Sequence, residues 1–121
     1  MIICCGEALI DMIPSTDATD ATDATDATDA TDALGAQVLK PHAGGAVFNT
    51  AIALGRLGVQ SSFLSGISTD LFGKKLVGEL HKSKVATDLV IRSDRPTTLA
   101  FVELTDGHAS YVFYDENTAG R

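Results

Sequence analysis

Three features within the first fifty residues are of types that recognise hydroxyl groups: Asp11, the backbone amides that follow Gly44-Gly45, and the Asn49 carboxamide one helical turn further on. An ionised carboxylate accepts hydrogen bonds from two adjacent hydroxyls, and its charge makes them stronger than neutral ones. A carboxamide both donates and accepts. Set in one crevice, these groups suit a polyol such as a sugar. The plainer alternative has Asp11 capping a turn and Asn49 bonding backbone. The three histidines, His42, His81 and His108, show no triad or metal-ligand spacing and read as surface or turn residues. No Gly-x-x-x-x-Gly-Lys-Ser/Thr phosphate loop is present.

These groups need elements to position them. Residues 2–13 open on an apolar run, Ile2-Ile3-Cys4-Cys5, and read as a strand covered on both faces, which sets Asp11 just past its carboxyl end. Residues 44–58 read as a helix opened by two glycines, stopped by Gly58 and apolar nearly all round, hence buried, with Asn49 its polar exception. A second strand is expected over 60–67. Ser68-Thr69-Asp70 supplies capping residues for an amphipathic helix over 71–82, with Leu71, Phe72, Leu76, Val77 and Leu80 inward. A short third strand is expected over 85–91. Alternating runs at 98–104 and 109–114 flank Thr105-Asp106-Gly107-His108, a hairpin signal. Strand and helix in alternation give an α/β fold with a parallel sheet, and the hairpin adds a small antiparallel accessory sheet. Ligands of such sheets bind outside the carboxyl ends of the strands, where Asp11, the Gly44-Gly45 amides and Asn49 are expected to meet.

At 121 residues the chain fits one domain at most. The net charge of −7 disfavours nucleic-acid and anionic-membrane partners. Much of that charge lies in residues 16–33, six consecutive Thr-Asp-Ala triplets that hold six of the sixteen acidic residues and leave the other 103 residues at −1. A period of three with alanine as its one apolar residue fits no buried element, so a solvated loop is expected. Calcium binding lacks the required ligand spacing around a turn glycine. No apolar stretch has the length of a membrane span, and the opening residues lack the basic leader of a signal peptide, so a cytoplasmic location is expected. Adjacent Cys4 and Cys5 cannot bridge each other and read as two buried thiols.

The run Gly44-Gly45-Ala46-Val47-Phe48-Asn49-Thr50-Ala51, followed by Leu54-Gly55-Arg56-Leu57-Gly58, closely resembles the N-terminal signature of the PfkB, or ribokinase-like, carbohydrate kinases. Gly6-Glu7-Ala8-Leu9-Ile10-Asp11 is similar to the first-strand motif of the fructokinase branch, and Tyr114-Asp115-Glu116-Asn117-Thr118-Ala119-Gly120-Arg121 fits the same branch. The resemblance covers everything except the repeat. It implies a ribokinase-like parallel sheet with flanking helices and a β lid built from about 14–43 and 98–114. It further implies ATP-dependent phosphorylation of a sugar hydroxyl, with fructose the favoured sugar. Asp11, Gly44, Gly45 and Asn49 would hold the sugar, and Ala100 and Phe113 would face it from the lid. Ala46 and Leu9 stand where the ribokinase branch has lysine and asparagine, which argues against ribose.

The family's members are longer. The resemblance implies that their catalytic aspartate, anion hole and ATP pocket fall beyond Arg121, so this chain is expected to be a truncated N-terminal portion carrying no catalytic residue. ATP and Mg2+ are expected in the full-length enzyme and not on this chain alone, and a homodimer through the lid is compatible with the resemblance. Three alternatives stay open: a non-catalytic truncated product that binds sugar weakly, a kinase for 2-keto-3-deoxygluconate, ribose or a nucleoside, and a generic nucleotide-binding domain. The last is disfavoured, because the helix after Gly45 begins with neither a phosphate loop nor a dinucleotide fingerprint.

Overall fold

The computed structural model describes residues 1–15, 38–105 and 108–121. The Thr-Asp-Ala repeat and the Asp106-Gly107 turn lie outside the described residues. The opening apolar run forms β1 (Ile2–Cys5), which pairs in parallel with β4 (Ser61–Ser68), from Ile2 opposite Ser61 to Cys5 opposite Leu64. β4 in turn pairs in parallel with β5 (Val90–Ser93), giving a three-stranded sheet in the order β1-β4-β5. Helix α1 (Ala46–Arg56) precedes β4 and helix α2 (Leu71–Lys82) follows it. This is the βα alternation that a parallel sheet requires.

The run from Ile2 to Ile13 is two strands. Gly6-Glu7-Ala8 interrupts the apolar pattern, and the chain leaves the parallel sheet there to start β2 (Leu9–Ser15) in a second sheet. Asp11, expected just past the end of a single strand, therefore lies within β2 of the second sheet. The second sheet has the order β3-β2-β6-β7, with β3 (Val38–Gly44), β6 (Leu99–Thr105) and β7 (His108–Tyr114). It is mixed where an antiparallel sheet was expected: β2–β3 and β6–β7 are antiparallel, but β2 and β6 run parallel. Its first strand begins at Leu9, upstream of the expected boundary at 14.

The core lies between the helices and the parallel sheet. Phe48 of α1 meets Phe63 of β4 edge-on, with ring centroids 5.7 Å apart. Cys4, Ala8, Ala51, Ile67, Leu76, Leu80 and Val85 complete the buried cluster, which Ile10 joins from the second sheet. Strand alternation puts Cys4 on the helix side and leaves Ile3 and Cys5 exposed, so β1 is covered on one face and only one thiol is buried.

α1 buries one stripe, Phe48, Ala51 and Gly55, and not its whole circumference; Leu57 at its end is 78% exposed. Its stop is a Schellman turn: Gly58 (φ 82°) donates its N–H to Gly55 O at 3.1 Å, and Val59 donates to Leu54 O at 3.0 Å. α2 has the expected bounds, and its cap is Asp70. Leu71, expected inward, is exposed, because the helical period groups it with Lys74, Lys75 and Gly78 on the solvent face. The expected third strand over 85–91 shrinks at its start. Ala86 makes an isolated bridge to Ser62, and Asp88 and Leu89 turn the chain, with Val90 N–H donating to Thr87 O at 3.0 Å, before β5 proper begins.

Candidate functional site

Asp11 sits mid-strand in β2, opposite His42 on β3 and Ala100 on β6; Ala100 in turn stands opposite Phe113 on β7. Directly opposed residues share a face of a sheet, so His42, Asp11, Ala100 and Phe113 form one row across all four strands. Ala100 is fully buried in that row and Phe113 is half exposed. His42, read from sequence as a surface or turn residue, is exposed but belongs to a strand. Burial pushes the Asp11 carboxyl above its usual value of 3.8, and the nearby His42 charge works in the opposite direction.

Gly44 closes β3 on the same face, paired with Leu9. A β-carbon at position 44 would run into Asp11 Oδ2, so the absent side chain is what lets the carboxylate lie against the end of β3. Gly45 then turns the chain into α1. Its φ of 109° belongs to the region that favours glycine, and a β-carbon there would sit 2.6 Å from Glu7 O. Gly45 is the N-cap of α1, and no side chain among the described residues caps the helix start. The first-turn amides thus keep donor capacity beside the Asp11 sheet. Asn49 lies exposed on that first turn, its own N–H bonded to Gly45 O at 2.8 Å. Asp11 thus lies against Gly44, and Gly45 joins that strand end to the first turn of α1, where Asn49 is exposed.

Two acidic residues beyond the sequence-derived set stand out. Glu7 Oε1 is buried with no hydrogen-bond partner among the described residues, and Gly120 packs against its side chain, where a β-carbon would lie 2.8 Å from Glu7 Cγ. Its signal in the sequence was a charged residue directly after the apolar run. Asp70, foreseen as a cap, also reaches Thr97. Burial pushes its carboxyl up, but hydrogen bonds from the Thr97 side chain, the Gly73 and Thr97 N–H groups and Ser68 outweigh this and hold it below 3.8. A cavity of about 420 Å³ at the root of the second sheet is bordered by Thr97, Leu99, Phe113, Tyr114 and Thr118; it takes in Phe113 of the sequence-predicted site residues, but not Asp11, Gly45 or Asn49. His81 is exposed with its ring nitrogen 3.1 Å from Thr87 Oγ1, and His108 is exposed at the start of β7.

Among the described residues no helix is long and apolar enough to cross a membrane.

The parallel three-stranded sheet, its helices and the accessory mixed sheet make this a ribokinase-like α/β fold: a putative ribokinase II from E. coli superposes with a TM-score of 0.78 at 22% identity, over 98% of this chain and 35% of that one. The chain belongs to the pfkB family of carbohydrate kinases, whose pattern matches residues 1–120. It is 49% identical to a fructokinase from Rhizobium leguminosarum bv. trifolii over 100% of this chain and 32% of that protein. The crystal structure of a fructokinase from Xylella fastidiosa with bound ATP is similar at a TM-score of 0.78 and 33% identity, covering 98% of this chain and 31% of that one. The chain thus spans about a third of the length of the relatives it matches.

Proposed function

We propose that this chain carries the sugar-binding part of an ATP-dependent carbohydrate kinase that acts on fructose. The observation that carries the reading is the 49% identity to a fructokinase along the entire chain. The geometry supports it through the Asp11 carboxylate lying bare-sided against Gly44 at the start of α1. In this reading Asp11 accepts hydrogen bonds from adjacent sugar hydroxyls, Gly44 leaves room for the Asp11 carboxylate, the amides after Gly45 donate, and the Asn49 carboxamide does either. Phe113 gives the Asp11 face an apolar wall, with the buried Ala100 between it and Asp11 in the row, and the four-stranded sheet serves as a lid over the sugar.

ATP would supply the phosphoryl group, with Mg2+ neutralising its phosphates. We assign the nucleotide site and the catalytic base to the part of the relatives that this chain does not match. The test is a graft of this chain onto that part of the Rhizobium fructokinase, assayed for ADP release with fructose, ribose and 2-keto-3-deoxygluconate. Turnover with fructose that Asp11→Ala abolishes supports the reading. Turnover indifferent to Asp11, or greater with another of these sugars, contradicts it.

A further inference from the structure

The Asp70 carboxylate stands where both sheets meet. As the cap of α2, its Oδ1 accepts from Gly73 N–H at 2.8 Å. The same oxygen accepts from the Thr97 hydroxyl at 2.6 Å, and Oδ2 accepts from Thr97 N–H at 3.0 Å. Capping needs only the first of these bonds. The other two reach across 27 residues in sequence to the segment that leads into β6, at a threonine that is itself buried.

The residue after Thr97 gathers the second sheet. Thr98 O accepts from Ile10 N–H of β2 at 3.0 Å, and the Thr98 hydroxyl lies 2.6 Å from that of Thr118, just after β7. Pro96 O accepts from Ala119 N–H at 2.9 Å. Strands β2 and β6 and the exit from β7 are therefore tied together within two residues of Thr97. On the other side, Arg92 of β5 donates to Ser68 O at 2.9 Å, while Ser68 Oγ accepts from Asp70 N–H at 3.0 Å.

We infer that Asp70 is a positioning residue for the sugar-facing sheet: through Thr97 it sets where β6, and with it Ala100 beside Asp11, stands relative to α2 and the parallel sheet. That this sheet faces a sugar rests on the proposed function; the positioning does not.

Three substitutions separate this role from capping alone. Asp70→Asn keeps an oxygen for Gly73 N–H but turns an NH2 group toward the Thr97 N–H, setting donor against donor. Thr97→Val removes only the hydroxyl, and Thr97→Ser retains it. Amide hydrogen exchange of the 121-residue chain reads the effect strand by strand. In Asp70→Asn the amides of β2 and β6, Ile10 and Ala100 among them, are expected to exchange about tenfold faster or more, while Gly73 and the rest of α2 stay within about twofold. Thr97→Val gives a smaller change of the same pattern, and Thr97→Ser matches the parent. Faster exchange in α2 with β2 and β6 unchanged would make Asp70 a helix cap and nothing more, overturning the inference. Should Asp70→Asn lose the fold, Thr97→Val decides by the same comparison, because its cap is intact. Fructose, added as a probe, separates the two readings: absence of any fructose response in the parent counts against the sugar site, while the exchange pattern still decides the role of Asp70.

Discussion

Asp11 and Gly44 touch across two antiparallel strands in a way that no other residue at position 44 would permit: the Asp11 Oδ2 atom occupies the place of a β-carbon. The glycine and the carboxylate are one feature, fixed by the register that sets Leu9 opposite Gly44 and Asp11 opposite His42.

Gly44→Ala should displace the Asp11 carboxylate without disturbing the parallel sheet. In the grafted enzyme the fructose KM should rise roughly 10- to 100-fold, the range expected when a binding group moves by about an ångström. Steady-state kinetics with fructose varied at saturating ATP checks this.

The pH dependence of stability carries opposite signs at two aspartates. Asp11 has its carboxyl raised by burial, so the folded state binds its proton more tightly than the unfolded chain does; stability falls as pH climbs from 3.8 through the raised value. Asp70 is lowered, so its contribution is present above 3.8 and is lost as pH falls through its folded value. Urea melts across this range should show Asp11→Asn gaining on the parent as pH rises, and Asp70→Asn losing. Because the His42 charge lowers the Asp11 value, His42→Ala should move the Asp11 carboxyl further upward in an NMR titration.

Thr98 and Thr118 form a buried hydroxyl pair at 2.6 Å, and Thr118 also donates to Asp115 O at 2.9 Å, which makes Thr98 the donor within the pair. Thr118→Val strands the Thr98 hydroxyl and should cost about 1–3 kcal/mol. Replacing both by valine should cost less than the sum of the single changes, because no buried donor is left over. A double-mutant cycle from denaturant melts measures the difference.

Deleting residues 16–33 should lower stability by no more than about 1 kcal/mol and is expected to raise it: the link shortens from 22 residues to four, between two and three halvings at about 0.6 kcal/mol each. The register sets Ser15 opposite Val38, so the deletion leaves residues 34–37 to join β2 to β3, a normal hairpin length. Denaturant melts of parent and deletion decide this, and a larger loss would mean that the triplets pack against the body.

Local chemistry was legible where one residue type dictates one geometry. Asp70 before an amphipathic pattern marked α2, Gly58 marked the end of α1, and Asp-Gly between alternating runs marked the β6–β7 hairpin, whose turn itself lies outside the described residues. Gly44-Gly45 likewise pointed to the joint that the structure builds between β3 and α1. What sequence did not reveal was pairing. An apolar run cannot show that it divides at Gly6-Glu7-Ala8 between two sheets, because hydrophobicity reports burial and not partner. The parallel pairing of β2 with β6, which sets Ala100 beside Asp11, joins residues almost ninety positions apart and leaves no local trace. The Asp70–Thr97 link was hidden for the same reason: a cap predicts its own first turn, not a second partner 27 residues on. Leu71 misled because its apolar type suggested burial, whereas the helical period groups it with Lys74, Lys75 and Gly78 on the solvent face.

The central claim is that the Asp11 face of this chain binds the sugar and not the nucleotide. Steady-state kinetics of the grafted enzyme, with fructose and ATP varied independently, tests it in Asp11→Asn and Asn49→Ala. Loss of a charge-assisted acceptor, on the order of 1.5–3 kcal/mol, should lower the fructose kcat/KM by roughly 10- to 150-fold in Asp11→Asn while the KM for ATP stays within about twofold. Asn49→Ala should change the same sugar term and spare ATP likewise. Unchanged fructose kinetics in Asp11→Asn, or an ATP term that moves as far as the sugar term, would contradict the account and leave Asp11 a structural residue of β2.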